Sequence, residues 1–302
     1  MEEIAPSGWN RHEVLRDGAR VVGWTWGGGA PVVLLHGYPQ TSYMWRLVVP
    51  HLVAAGRSVV AVDLRGYGAS GPAHGDGPVD PGRYAKREMA ADVLALLDAL
   101  DHRDTALDVV GHDRGARVAH RMAVDHPSRV RTITVLDIVP TLHMFEHVDR
   151  EMAEAYFHWF FLARPGGLPE ALISADPEAW LRSRFEGRHS VRPAEPGAVD
   201  VYLDAFRRPG VIAATCADYR AAATVDLVHD RADRAAGRRV TAPLLAGWGR
   251  SSYVGRNFEV TDVWAQHADR VTGLALEADH YVAEEAPAEL AEALLNHWTA
   301  AR

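Results

Sequence analysis

Apolar and polar positions along this chain follow two rhythms. Residues 11–26 read as an antiparallel pair closed by Gly27-Gly28-Gly29. Residues 32–35 and 59–62 are unbroken apolar runs, as expected of strands covered on both faces. Residues 84–101 predict a helix, because Met89, Val93, Leu96, Leu97 and Leu100 recur at helical spacing. Strands are expected at 106–110 and 132–136, and again at 244–247 and 271–276, before a final helix over 288–298. From 141 to 235 the pattern changes to amphipathic helical stretches with polar breaks such as Pro165-Gly166-Gly167, and no buried strand is evident. Strands alternating with helices predict an α/β fold with a mostly parallel central sheet and helices on both faces. The core would comprise 1–140 and 236–302, with 141–235 inserted as a helical cap.

The most informative stretch is Gly111-His112-Asp113-Arg114-Gly115, which joins an apolar strand to a helix. A strand, a glycine-flanked acid and a helix describe a nucleophile elbow with Asp in place of the commoner Ser. The glycines permit a sharp turn, and the helix dipole favours an ionised carboxylate at that point. Such a carboxylate can act as a nucleophile. Arg114 and Arg117, three apart, share a helix face beside Asp113. Two cations at the positive end of a helix ask for an anion, and a bound carboxylate would serve.

Other candidates end neighbouring strands. His36-Gly37-Tyr38-Pro39 can aim the Tyr38 amide at an oxyanion, together with the amide of Arg114. His280 follows the strand at 271–276, and strand ends are where ligands gather in such sheets. Asp137 and Asp63 both end strands and compete as the acid that orients His280. In the cap, Tyr156-Phe157-His158-Trp159-Phe160-Phe161 is dense in aromatics. His158, Trp159 and Tyr219 offer donors that can hold a leaving anion in an apolar shell. His143 and His147, four apart, lack a third partner for a metal.

The formal net charge of −8, with no basic block, argues against a nucleic-acid partner. A single cysteine, Cys216, reads as a small buried residue and suits a reducing cytoplasm. The opening Met1-Glu2-Glu3-Ile4 does not resemble a signal peptide, and no apolar run of about 18 residues suggests a membrane span.

Taken together, GHDRGARVAH at 111–120, His36 to Thr41, Leu136-Asp137-Ile138-Val139-Pro140-Thr141, His158-Trp159 and Asp218-Tyr219-Arg220-Ala221 resemble the fluoroacetate (haloacetate) dehalogenases of the α/β-hydrolase superfamily. The Asp-Arg pair at the elbow is the specific element; epoxide hydrolases and haloalkane dehalogenases usually carry Asp-Trp. The resemblance implies Asp113 as nucleophile, His280 as base and Asp137 as its orienting acid. It implies Arg114 and Arg117 on the substrate carboxylate, and His158, Trp159 and Tyr219 on the halide. It further implies a small halogenated carboxylate as substrate, no metal or organic cofactor, and a homodimer. The chain departs from that family at Asp279, where Gly is frequent, and at Arg182, Arg184 and Arg188, where relatives can place a bulky aromatic. The alternatives are an epoxide hydrolase using Tyr219 with Tyr156 or Tyr202 as acids, and a ligand receptor without turnover on the same scaffold.

Overall fold

A computed structural model describes residues 8–72, 79–186 and 195–301. Eight strands form a single sheet: β1 (Asn10–Arg16), β2 (Ala19–Gly27), β3 (Ala30–Leu35), β4 (Arg57–Asp63), β5 (Leu107–His112), β6 (Val130–Leu136), β7 (Leu244–Gly249) and β8 (Val271–Leu276). Their spatial order is β1-β2-β4-β3-β5-β6-β7-β8. β2 pairs antiparallel with β1 and β4, and every other pairing is parallel. The unbroken apolar runs behave as their composition demands: every residue of β5 is buried, so helices cover both its faces.

The order has one functional consequence. The chain runs from β3 outward to β4, then returns across β3 to place β5 on its other side. The loops after β3 and β5 therefore diverge and open a crevice at the carboxyl ends of these strands. Tyr38 and Asp113 occupy those two loops.

The chain between β6 and β7 contains helices from Thr141–Glu146 to Val225–Ala235 and, among the described residues, no strand. Trp159, Leu162, Leu181, Tyr202 and Phe206 from this insertion belong to one apolar cluster with Leu34, Val109 and Leu136 of the sheet. The expected elements are all present, with ends shifted by a few residues: the helix expected at 84–101 is Lys86–Ala99 and the last helix is Pro287–Ala300. No helix among the described residues is long and apolar enough to cross a membrane.

Candidate active site

The turn after β5 is as sharp as its glycines suggest. Asp113 has φ 44° and ψ −111°, strained for a residue with a side chain, and it opens the helix Arg114–Asp125. A Cβ on Gly111 would run into the backbone of Gly115 and Ala116, and one on Gly115 into the carbonyls of Leu35 and His36. The strand, elbow and helix can meet this closely only because both positions are glycine. The strain holds the carboxylate at the crevice, where Oδ2 accepts the Tyr38 amide at 3.1 Å. Burial pushes the Asp113 carboxyl up, but His280, His112, Arg114 and Arg117 together outweigh it and hold it at about 2. It is therefore an ionised carboxylate at any ordinary pH.

His280 Nδ1 lies 2.7 Å from Asp137 Oδ2. Asp137 has φ 52° and its other oxygen accepts from Ser252 Oγ at 2.6 Å and Gly249 N at 3.1 Å. Of the two strand-ending acids, Asp137 is the one within hydrogen-bond distance of His280. Asp63 accepts from Ser42 N and Ala69 N and serves the loops beside it.

The two arginines are held differently. Arg114 makes a fork with Asp218: Nε to Oδ2 at 2.9 Å and Nη2 to Oδ1 at 2.6 Å. Asp218 also receives Tyr67 Oη at 2.7 Å and the ammonium of Lys86. Burial opposes charge on Arg114, but Asp218 more than compensates and raises its pKa well above the usual value. The anion expected to balance Arg114 is thus supplied by the protein itself, a correction to the reading that both cations await one. Arg117 has only neutral acceptors, Val139 O at 3.1 Å and Thr141 Oγ1 at 3.0 Å. Burial and then Arg114 depress it, Asp113 only partly opposing, to about 10. Arg117 is therefore the less compensated cation. Each guanidinium keeps one buried nitrogen without a hydrogen-bond partner, Nη1 of Arg114 and Nε of Arg117. Buried donors in that state are costly and mark a place where a ligand can bind.

The aromatic donors of the insertion gather here. Arg114 lies 4.3 Å over the Tyr219 ring and Arg117 4.6 Å over Trp159. His158 and Tyr219 flank Tyr38, with ring centroids 6.3 and 5.4 Å away. Trp159 Nε1 is buried without a partner. The sequence-nominated residues of the elbow, the Tyr38 loop and the inserted helices thus come together. Tyr202 does not join them: its hydroxyl donates to Glu284, beside Gln40 and Arg46. His143 and His147 stack at 4.0 Å, and among the described residues no three His, Cys, Asp or Glu side chains form a metal site.

Several residues here carried no assigned role at the sequence level. Asp218 stands beside Tyr219 in a stretch that the resemblance covers, but Lys86 and Tyr67 approach it only through the fold. Trp180 donates Nε1 to Tyr38 Oη at 2.6 Å, and Phe185 stacks on Tyr281 at 4.8 Å. The arginines singled out in the sequence concealed these aromatics: Arg184 lies over the rings of Trp180 and Phe157, and Arg182 pairs outward with Glu178 and Asp200. Arg188 lies outside the described residues.

Comparison with known proteins agrees with this architecture. The α/β hydrolase fold pattern matches residues 30–287. The chain belongs to the α/β hydrolase family. It is 38% identical to a fluoroacetate dehalogenase of Burkholderia sp., over 91% of this chain and 89% of that protein. It is 33% identical to a soluble epoxide hydrolase of Corynebacterium sp. (strain C12), over 91% and 92%. Among solved structures, ALR0039 from Nostoc sp PCC 7120 is 43% identical, with a TM-score of 0.90 and coverage of 97% of this chain and 99% of that one. The chain is a hydrolase of this family by fold and sequence.

Proposed function

We propose that this hydrolase is a haloacetate dehalogenase, converting a fluoroacetate- or chloroacetate-type 2-haloacid to the 2-hydroxy acid and halide. The observation that carries the reading is the pair of guanidinia beside Asp113, each with a buried N–H unspent. A neutral substrate has no use for the uncompensated charge of Arg117 beside the spare N–H of Arg114, whereas a carboxylate can accept from both. The 38% identity to a fluoroacetate dehalogenase supports the same choice.

In this mechanism Arg114 and Arg117 hold the carboxylate so that the adjacent carbon faces Asp113. The carboxylate oxygen of Asp113 attacks that carbon as the carbon–halogen bond breaks, and halide departs toward His158, Trp159 and Tyr219. Fluoride is strongly hydrated and leaves poorly, so aimed donors in a dry shell are the physical answer. An ester on Asp113 remains. His280, oriented by Asp137, takes a proton from water through Nε2, and the hydroxide adds to the ester carbonyl. The amides of Tyr38 and Arg114 receive the oxyanion. Collapse expels the hydroxy acid as an alkoxide that recovers the proton from His280, and the carboxyl of Asp113 ionises again. The helical insertion 141–235 serves as the cap that closes this pocket, and the site needs no metal. A homodimeric, cytoplasmic enzyme fits the family resemblance.

The second reading is an epoxide hydrolase, favoured by the 33% identity to a soluble epoxide hydrolase. It needs hydroxyl acids in the cap, and Tyr202 is committed to Glu284, which leaves Tyr219 and Tyr156. Halide release from fluoroacetate and chloroacetate decides the matter. Diol from an epoxide acid without halide selects the second reading, and saturable binding without product selects a receptor.

A further inference from the structure

We infer that Glu285 and His112 are positioning residues for His280, clamping its backbone from both sides so that the imidazole is aligned for ester hydrolysis. The inference rests on the reading of His280 as the base. The loop that carries His280 follows β8 and has little regular structure of its own. Its backbone is nevertheless tied at three successive places. Glu285 Oε2 accepts the Asp279 amide at 2.8 Å, and Oε1 accepts the Tyr281 amide at 2.9 Å. One carboxylate thus straddles the residue between them. The His280 carbonyl accepts from His112 Nε2 at 2.7 Å. A carbonyl can only accept, so His112 must carry its proton on Nε2.

The donor is well placed. His112 ends β5 one residue before Asp113, and its ring centroid lies 4.7 Å from that of His280. The candidate nucleophile and the candidate base are therefore referenced to the same strand end. Glu285 and His112 are both buried, and His112 Nδ1 has no hydrogen-bond partner. A buried carboxylate and a half-satisfied imidazole are expensive ways to hold a loop that apolar packing could hold. The arrangement makes sense where a side chain must be fixed within tenths of an ångström. Asp137 sets the rotation of the ring, and the clamp sets where the ring starts from.

The two half-reactions separate this role from a structural one, because only the second needs the base. In Glu285→Gln the carboxamide can accept one amide but turns its NH2 toward the other. Rapid-mixing halide release from chloroacetate should then show a first-turnover burst at the wild-type single-turnover rate, while steady turnover falls about 10- to 100-fold, the cost of misplacing a catalytic group. Intact mass should show the ester on Asp113 accumulating. His112→Phe should behave alike, and His112→Gln, which can still donate to the carbonyl, should recover part of the rate. Equal slowing of burst and turnover in variants of unchanged Tm would overturn the inference. A substrate-free readout keeps it falsifiable if no haloacid is turned over. The downfield proton NMR signal of His280 Nδ1–H on Asp137 should shift or broaden in both Glu285→Gln and His112→Phe; an unchanged signal in both variants would refute the clamp, whatever the enzyme's substrate.

Discussion

The two sides of Asp113 are built on opposite principles. On the β6–β8 side, Asp137 and His280 belong to the sheet's own loops and are fixed by hydrogen bonds, two of them involving backbone groups. On the other side, Arg114 is fixed by a charge network that crosses from sheet to insertion: Arg114 and Lys86 from the core, Asp218 from the helix Val211–Ala223. The first arrangement needs only the fold. The second exists only when the inserted helices dock. On the proposed function, the acid–base pair thus resides in the scaffold, whereas the holding of Arg114 depends on the insertion.

The strongest way to break this comparison is to remove the group that both sides serve. Asp113→Ala should lower turnover by about 10⁴-fold or more, as loss of a nucleophile does elsewhere. His280→Ala should stop the reaction one step later, with an ester on Asp113 visible by intact mass; saturated binding without an adduct would refute covalent catalysis. Asp113 also offers a thermodynamic check. Its carboxyl is held at about 2, below the ordinary 3.8, so its ionisation stabilises the fold above the ordinary value and the benefit is lost as pH falls through the lower one. Denaturant titrations at about pH 5 and about pH 3 should show wild type losing about 1 kcal/mol more than Asp113→Ala over that interval.

Next in size is the split between substrates. Arg114→Leu should weaken kcat/KM for carboxylate substrates by about 100-fold, the worth of one hydrogen bond from a charged donor, the spare Nη1. Neutral epoxides or haloalkanes should be far less affected. Equal losses would remove the argument for a carboxylate clamp. Asp218→Asn tests the network from the insertion's side. It leaves Arg114 and Lys86 as adjacent buried cations, and breaking a buried pair costs about 3–5 kcal/mol. A fall in Tm together with a raised KM for haloacids is expected; unchanged values for both would mean that the insertion does not govern Arg114.

The same division explains what could be read from the chain. The sheet, the elbow and Asp113 were legible because they are local: an apolar run, two glycines and a helix are contiguous from 107 to 125. His280 was legible by its place after a late strand. By strand position alone Asp137 and Asp63 competed, with the resemblance pointing to Asp137; in the fold the His280 contact and the β7 turn, with Gly249 and Ser252 on Asp137, separate them. The charge balance of Arg114 was misread because Asp218 lies more than a hundred residues away, on a helix whose burial around Asp218 is set by the fold and not by its local pattern. Trp180 was obscured for the opposite reason: the arginines around it lie outside or over its face, so the stretch reads as solvated while its indole N–H reaches Tyr38.

That last contact gives the smallest and sharpest test. Tyr38 contributes its amide to the Asp113 carboxylate and its hydroxyl to Trp180, so one residue links the scaffold side to the insertion. Burial pushes the Tyr38 hydroxyl well up, so it stays neutral and bonds as a phenol. Trp180→Phe keeps a large ring under Arg184 but deletes the donor, at a cost of about 1 kcal/mol for one hydrogen bond. If the insertion acts on substrate selection rather than on chemistry, the change should appear as a several-fold rise in KM for haloacids with kcat unaltered. A fall in kcat at constant KM would instead place the insertion within the chemical step, because the displaced Tyr38 amide would then fail to meet the oxyanion. The division between a scaffold that reacts and an insertion that selects would have to be redrawn at Tyr38.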